Sequence, residues 1–220
     1  MEIVLCSGYP TQLLISGVLI ALGFDPSPDG KLSGSFVFAL ATIDTALLLA
    51  IIVACLLRRG ERPRRVWFGD APPAFEAIAG VFTTPFVIAL VIALTLIIRT
   101  IAPGLHNVPD NPLEGLLGER GNLWTFLFVV IVAGGIREEL QRGFLLHRFK
   151  EDLGQPWMGL LITSVSFGMG HTLQGYDAAL ITGALGALWG AMFLTRGSAL
   201  APLVSHSLFN AGQLVLVLLR

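Results

Sequence analysis

The sequence predicts an all-α, polytopic transmembrane helix bundle of about seven to eight spans. Three observations carry that prediction. Hydrophobic residues make up 54% of the 220 residues and charged residues only 13%, where an ordinary soluble domain has about 25% charged. Mean hydropathy is +0.77. The apolar residues are also gathered into runs of span length instead of alternating with polar ones. A soluble fold of this size has more surface than so little polar chain can cover. That excludes a soluble globular enzyme, a disordered chain and a secreted disulfide scaffold. Seven spans of about 20 residues use about 140 residues and leave short loops.

The elements follow in order. Residues 11–24 are a short first apolar run, and 25–34 form a turn-rich loop. Residues 35–57 are a full-length span, followed by a loop holding Arg58, Arg59, Arg62, Arg64 and Arg65. Residues 76–98 span again, and Pro85 within them is expected to kink the helix because it lacks a backbone donor. Residues 99–122 are a Pro/Gly-rich loop with a short interfacial helix expected around 113–117. An eighth span results if this loop dips into the membrane. Residues 123–150 read as one long helix, apolar first and charged later; 157–170, 178–194 and 200–219 complete the set. The chain is one integral domain in two parts, the first three spans over 1–122 and a core over 123–220.

Arg-rich short loops stay cytoplasmic, so the cluster at 58–65 puts the N-terminus inside and 25–34 and 99–122 outside. Residues 147–155 and Arg196 then fall inside, and the C-terminus outside. Glu2 stands where a cleaved signal carries positive charge, so none is expected. The formal net charge of −1, with no basic domain, argues against a nucleic-acid partner. Cys6 and Cys55 lie in or beside apolar stretches and read as small buried hydrophobes.

In such a chain the informative residues are the ionisable ones at depth, because they are costly there and mark a pathway or reaction site. Three clusters qualify: Arg137-Glu138-Glu139-Leu140-Gln141-Arg142, His171 at the end of Phe167-Gly168-Met169-Gly170-His171, and His206-Ser207-Leu208-Phe209-Asn210. At about 1.5 Å per helical residue, Glu138 lies about 18 Å from Lys150 and His171 about 21 Å from Trp157. On the same scale His206 and Asn210 lie about 14 and 20 Å from Gly197. Three helices thus deliver polar groups to one layer.

Spacing sharpens this reading. His206 and Asn210 are i, i+4 and share a face. Glu138 and Glu139 differ by about 100° around the helix and cannot aim at one point. Either can pair with Arg142, so one is held and the other is free. A desolvated Glu acts as a general base near neutral pH, a His beside it holds the water, and a second His with an Asn carboxamide stabilises an oxyanion. Together these suggest amide hydrolysis. Glu138, His171 and His206 also match the donor types of a hydrolytic zinc site, although the spacing is not His-Glu-x-x-His.

At these residues the chain resembles the CAAX prenyl-protease and bacteriocin-processing intramembrane endopeptidases, the CPBP or Abi family. That family carries Glu-Glu-x-x-x-Arg, Phe-x-x-x-His and His-x-x-x-Asn motifs on successive membrane helices. Here the second is Phe167 to His171 and the third His206 to Asn210. Arg142-Gly143-Phe144-Leu145-Leu146, and Arg196-Gly197-Ser198 ahead of Ala201-Pro202, also fit. The likeness covers about residues 123–212; the first half matches only in being hydrophobic spans. The first motif departs, reading Glu-Glu-x-x-Arg, one residue short. Aligned on the Glu pair, Glu138 takes the base's place and Glu139 the second acid's. Aligned on Arg142, Arg137 takes the base's place. A π-like turn in relatives, absent here, would reconcile the two registers.

The resemblance implies an endopeptidase with its site inside the membrane. Glu138 (or Glu139) activates water with His171, Arg142 orients the acid pair, and His206 and Asn210 hold the oxyanion. It implies a lipid bilayer and a protein or peptide substrate, prenylated or not, as partners, in a bacterial inner membrane. No cofactor is required in this scheme; zinc is the alternative. Two rival functions use the same residues: a proton-coupled transporter, which favours repeated halves that this chain lacks, and a catalytically silent immunity or scaffold protein, favoured by the shortened motif. Outside the site, Asp44 is expected to be a hydrogen-bonded interior acid, and His106 and His147 surface groups. Gly183, Gly186 and Gly190 are expected to permit close helix packing, and the arginines at 58–65 to touch anionic headgroups.

Overall fold

The computed structural model describes residues 1–109, 111–112, 114–117 and 123–219. Among these residues the elements are helical and no strand occurs. The helices are α1 (Glu2–Leu5), α2 (Tyr9–Ala21), α3 (Gly34–Arg58), α4 (Pro63–Phe68), α5 (Pro73–Ile101), α6 (Leu123–Ile131), α7 (Glu138–Glu151), α8 (Pro156–Met169), α9 (Tyr176–Arg196) and α10 (Leu200–Leu218). A π-helical segment, Val132–Arg137, joins α6 to α7. The loop after α5 holds 3-10 turns at Pro103–Leu105 and Glu114–Leu117. The second of these stands where the interfacial helix is expected, and Leu113 lies outside the described residues.

Local signals explain the ends. Ser33 Oγ accepts the Phe36 N–H at 3.3 Å and caps α3. Pro73 and Pro156 open α5 and α8, where a missing N–H costs nothing. Gly197 ends α9 in the left-handed conformation, with φ of 67°. α5 continues through Pro85 without a break.

α3, α5, α9 and α10 are long and apolar enough to cross a membrane. α2 and α8 are apolar but shorter. α6, the π segment and α7 run on as the long helix expected over 123–150, with its charges in the second half. Large apolar side chains of α5, such as Phe82 and Phe86, point outward and are largely exposed. That is the arrangement of a helix whose solvent is hydrocarbon.

α8 lies along α9, and α10 along α5. The largest buried cluster surrounds α7 and includes Cys6, Leu48, Ile52, Leu56, Phe144 and Leu146. Trp67 Nε1 donates to the Leu140 carbonyl at 2.8 Å and ties α4 to α7. Glu76, buried at the start of α5, accepts a two-pronged bond from Arg196 at 2.8 and 2.9 Å. That fork joins α5 to the end of α9. Cys6 and Cys55 are unbridged, and Cys6 is fully buried.

Beside the 58–65 loop an ionic network corrects one expectation. His147 is not a free surface group: its Nε2 lies 2.7 Å from Glu61 Oε1. Arg148, fully buried, pairs with Glu61 and with Glu2. Arg59, an exposed residue, pairs with Glu2 and Asp152. Burial pushes the Glu61 carboxyl up, but hydrogen bonds from Arg148 and His147 outweigh it and hold the group below its usual range.

Candidate active site between α7, α8 and α10

The π segment places the acid pair. Its sequence, VAGGIR, contains two adjacent glycines pressed against α10. A Cβ on Gly134 would lie 2.9 Å from Asn210 Nδ2, and one on Gly135 would run into the Ser207 side chain. Only glycine lets the two backbones approach this closely. Asn210 Nδ2 donates to the Val130 carbonyl at 3.1 Å, supplying a side-chain partner next to the widened turn. From Glu138 onward the helix is α-helical again. The π turn therefore lies in this chain, upstream of the Glu-Glu-x-x-Arg motif. It is neither absent here nor within the motif.

Glu138 and Glu139 emerge from this rod into different surroundings. The Glu139 side chain is 1% exposed and Glu138 is 21% exposed. Arg142 is ion-paired with Glu139 Oε1, and His206 Nδ1 lies 2.8 Å from the same oxygen. A carboxylate only accepts, so the proton of this contact sits on Nδ1 of His206. His206 Nε2 then points toward Glu138, 3.8 Å from Oε2, a gap wider than a direct hydrogen bond.

Aromatic rings fix the imidazoles. Trp189 stacks on His206 with centroids 3.9 Å apart and planes 16° from parallel. Phe167 meets His171 and His206 edge-on at 4.9 and 6.0 Å, and the Arg142 guanidinium lies 4.5 Å over the Phe167 ring. His171 stands in the turn after α8, where its Nδ1 donates to the Phe167 carbonyl at 2.8 Å. That leaves Nε2 as the acceptor nitrogen.

Two cavities meet at these groups. One of about 740 Å³ is lined by Glu138, His171, His206, Asn210 and Trp189. A second of about 210 Å³ is lined by Glu138, Arg142, His171, Tyr9 and Gln141. Glu138 and His171 line both. The structure thus brings Glu138, Glu139, Arg142, His171, His206 and Asn210 to one region, with Glu139 and Arg142 forming its support. Asn210 is held by α6 through Val130 while lining the larger cavity. Among the described residues no group of three or more His, Cys, Asp and Glu is gathered as a metal cage.

Several contributors were not anticipated. Asp44 is the buried acid expected, and its partner is Arg137, beside Glu138. Trp189 carries a signal in hindsight: a large aromatic between Gly186 and Gly190 on a helix of small residues. That stripe does pack closely, since a Cβ on Gly186 would lie 2.9 Å from the Phe167 ring. His106 is not a surface group. It is half-buried, with Nδ1 2.8 Å from Asp177, at the larger cavity.

Helices of span length thus surround an internal cavity that a carboxylate and two histidines line. Residues 120–212, which hold every one of these site residues, match the family model Rce1-like, described as Type II CAAX prenyl endopeptidase Rce1-like. This stretch of the chain is similar to that peptidase family, and with its long apolar helices the protein is an integral membrane protein. Comparison with curated proteins and with solved structures finds no match.

Proposed function

We propose that the protein is a CAAX-type intramembrane endopeptidase that hydrolyses a peptide bond of a membrane-associated, prenylated or otherwise lipid-held peptide without a metal. The observation that carries this reading is the division between the two carboxylates. Glu139 is engaged by Arg142 and His206, so Glu138 is the carboxylate facing the cavities. Glu138 takes a proton from a water shared with His171 Nε2, and the hydroxide attacks the scissile carbonyl. Asn210 stabilises the oxyanion, joined by His206, fixed by Glu139 and Trp189, in the form that carries a proton on Nε2 as well as on Nδ1. Glu138 then returns its proton to the leaving amine.

Counting α2, α8 and the α6–α7 rod with the four long helices makes seven inserted helices. In our reading the Arg-rich loop and the N-terminus face the cytoplasm of a bacterial inner membrane. Detergent-purified protein and a panel of farnesylated and unmodified peptides test the function. Cleavage that persists with chelator and is lost in Glu138→Gln and His171→Ala is the expected result. Loss with chelator, restored by zinc, would overturn the metal-free mechanism. No cleavage by wild type would favour a silent scaffold.

A further inference from the structure

Arg137 precedes Glu138 and lines the same two cavities. A buried guanidinium so placed lies within electrostatic reach of the Glu138 carboxylate. Without another partner it would be a costly uncompensated charge with the Glu138 carboxylate beside it. It does not pair there. Its NH2 group is ion-paired with Asp44 Oδ2, and both side chains are more than nine-tenths buried.

Asp44 is itself held. Thr11 Oγ1 donates to its Oδ1, and Gln12 Nε2 lies 3.5 Å from its Oδ2. The chain at Gly8, with φ of 89°, passes directly over the guanidinium: a Cβ there would lie 2.9 Å from Arg137 NH2. Thr11 and Gln12 lie on α2, Asp44 on α3 and Gly8 at the start of α2, all outside the stretch matched by the family model.

We infer that Asp44 is a positioning residue that holds the Arg137 guanidinium on the α2–α3 side and thereby keeps Glu138 out of an ion pair and facing the cavities. The consequence for catalysis rests on the protease reading; the pairing itself does not. The N-terminal helices are then part of the site's electrostatics as well as its anchor in the membrane. Removing Asp44 releases Arg137 to Glu138. Removing Arg137 as well relieves the fault.

Two readouts test this on full-length, detergent-purified protein. In cleavage of a farnesylated peptide, Asp44→Asn lowers kcat roughly 100-fold with little change in KM. The Asp44→Asn/Arg137→Gln double variant recovers at least tenfold of that loss. Thermal unfolding needs no substrate. Glu138→Gln leaves the midpoint of the wild-type background unchanged or raised. In the Asp44→Asn background it lowers the midpoint by about 5 °C or more, because Glu138 has become the partner of Arg137. Thr11→Val, which removes one bond to Asp44, gives the same pattern more weakly and serves if Asp44→Asn does not fold. An equal effect of Glu138→Gln in both backgrounds overturns the inference. So does a double variant as inactive as Asp44→Asn when both unfold like wild type. If wild type cleaves nothing while the unfolding pattern is as expected, the protease reading fails and the positioning role stands.

Discussion

Glu139 Oε1 and His206 Nδ1 sit 2.8 Å apart across the α7–α10 contact, and Arg142 closes on the same oxygen. One oxygen thus fixes both the guanidinium and the imidazole. The two neighbouring carboxylates should therefore fail in different ways when changed. Glu138→Gln lowers cleavage by roughly 10²–10⁴-fold and leaves thermal unfolding nearly unchanged. Glu139→Gln leaves Arg142 buried with a poorer partner and destabilises the fold by about 3–5 kcal/mol besides losing activity. Cleavage and unfolding measured on the same preparations separate the two. Equal instability would sink the division of roles.

Trp189 is the platform for His206. Trp189→Leu lets the imidazole turn, so kcat falls about tenfold or more while KM changes little. Trp189→Phe keeps a stacking face and retains most of the rate. Steady-state kinetics of the two variants check this.

The close approach of the π segment to α10 has no room for a side chain at Gly135. Gly135→Val forces the backbones apart and costs about 1–3 kcal/mol. Denaturation of the variant measures that cost, and a wild-type midpoint would show that the approach is not required.

Acid should loosen the ionic network beside the 58–65 loop. The Glu61 carboxyl is held below its ordinary value of 4.5 by Arg148 and His147, against the upward push of burial. A carboxylate depressed in this way stabilises the fold fully above its unfolded pKa, and that stability is lost as pH falls through the folded value. The unfolding midpoint of wild type therefore drops as pH is lowered past about 4.5. Glu61→Gln starts lower near neutrality and shows a shallower slope. Parallel pH curves for the two proteins would refute the assignment.

Much of the architecture was legible because hydrocarbon imposes its own grammar: long apolar runs become helices, and charges at depth must meet. Glu138, His171 and His206 could be put at one level from spacing alone, and they line one cavity. The split between Glu138 and Glu139 followed from the 100° step between neighbours, whereas its direction needed the His206 contact. Arg137 with Asp44, and His106 with Asp177, were illegible because each pairs residues far apart in the chain. Nothing in a single sequence states which distant helices touch. Trp189 was hidden for the same reason, since stacking depends on how α9 and α10 are rotated.

The π segment has one last consequence, for the tolerance of this chain to changes in length. A π turn takes one residue more than the α turn it replaces, so the stretch Val132–Arg137 carries a spare residue inside an otherwise continuous rod. Shortening a helix by one residue ordinarily rotates everything beyond it by about 100°. Here the loss of Ala133 can be absorbed by tightening the turn, so that α6 and α7 keep their facings. What disappears is the widened turn that Asn210 now serves through Val130. A deletion at Ala133 is thus expected to fold and insert normally, while a deletion within α7 at Leu145 turns His147 and Arg148 away from Glu61.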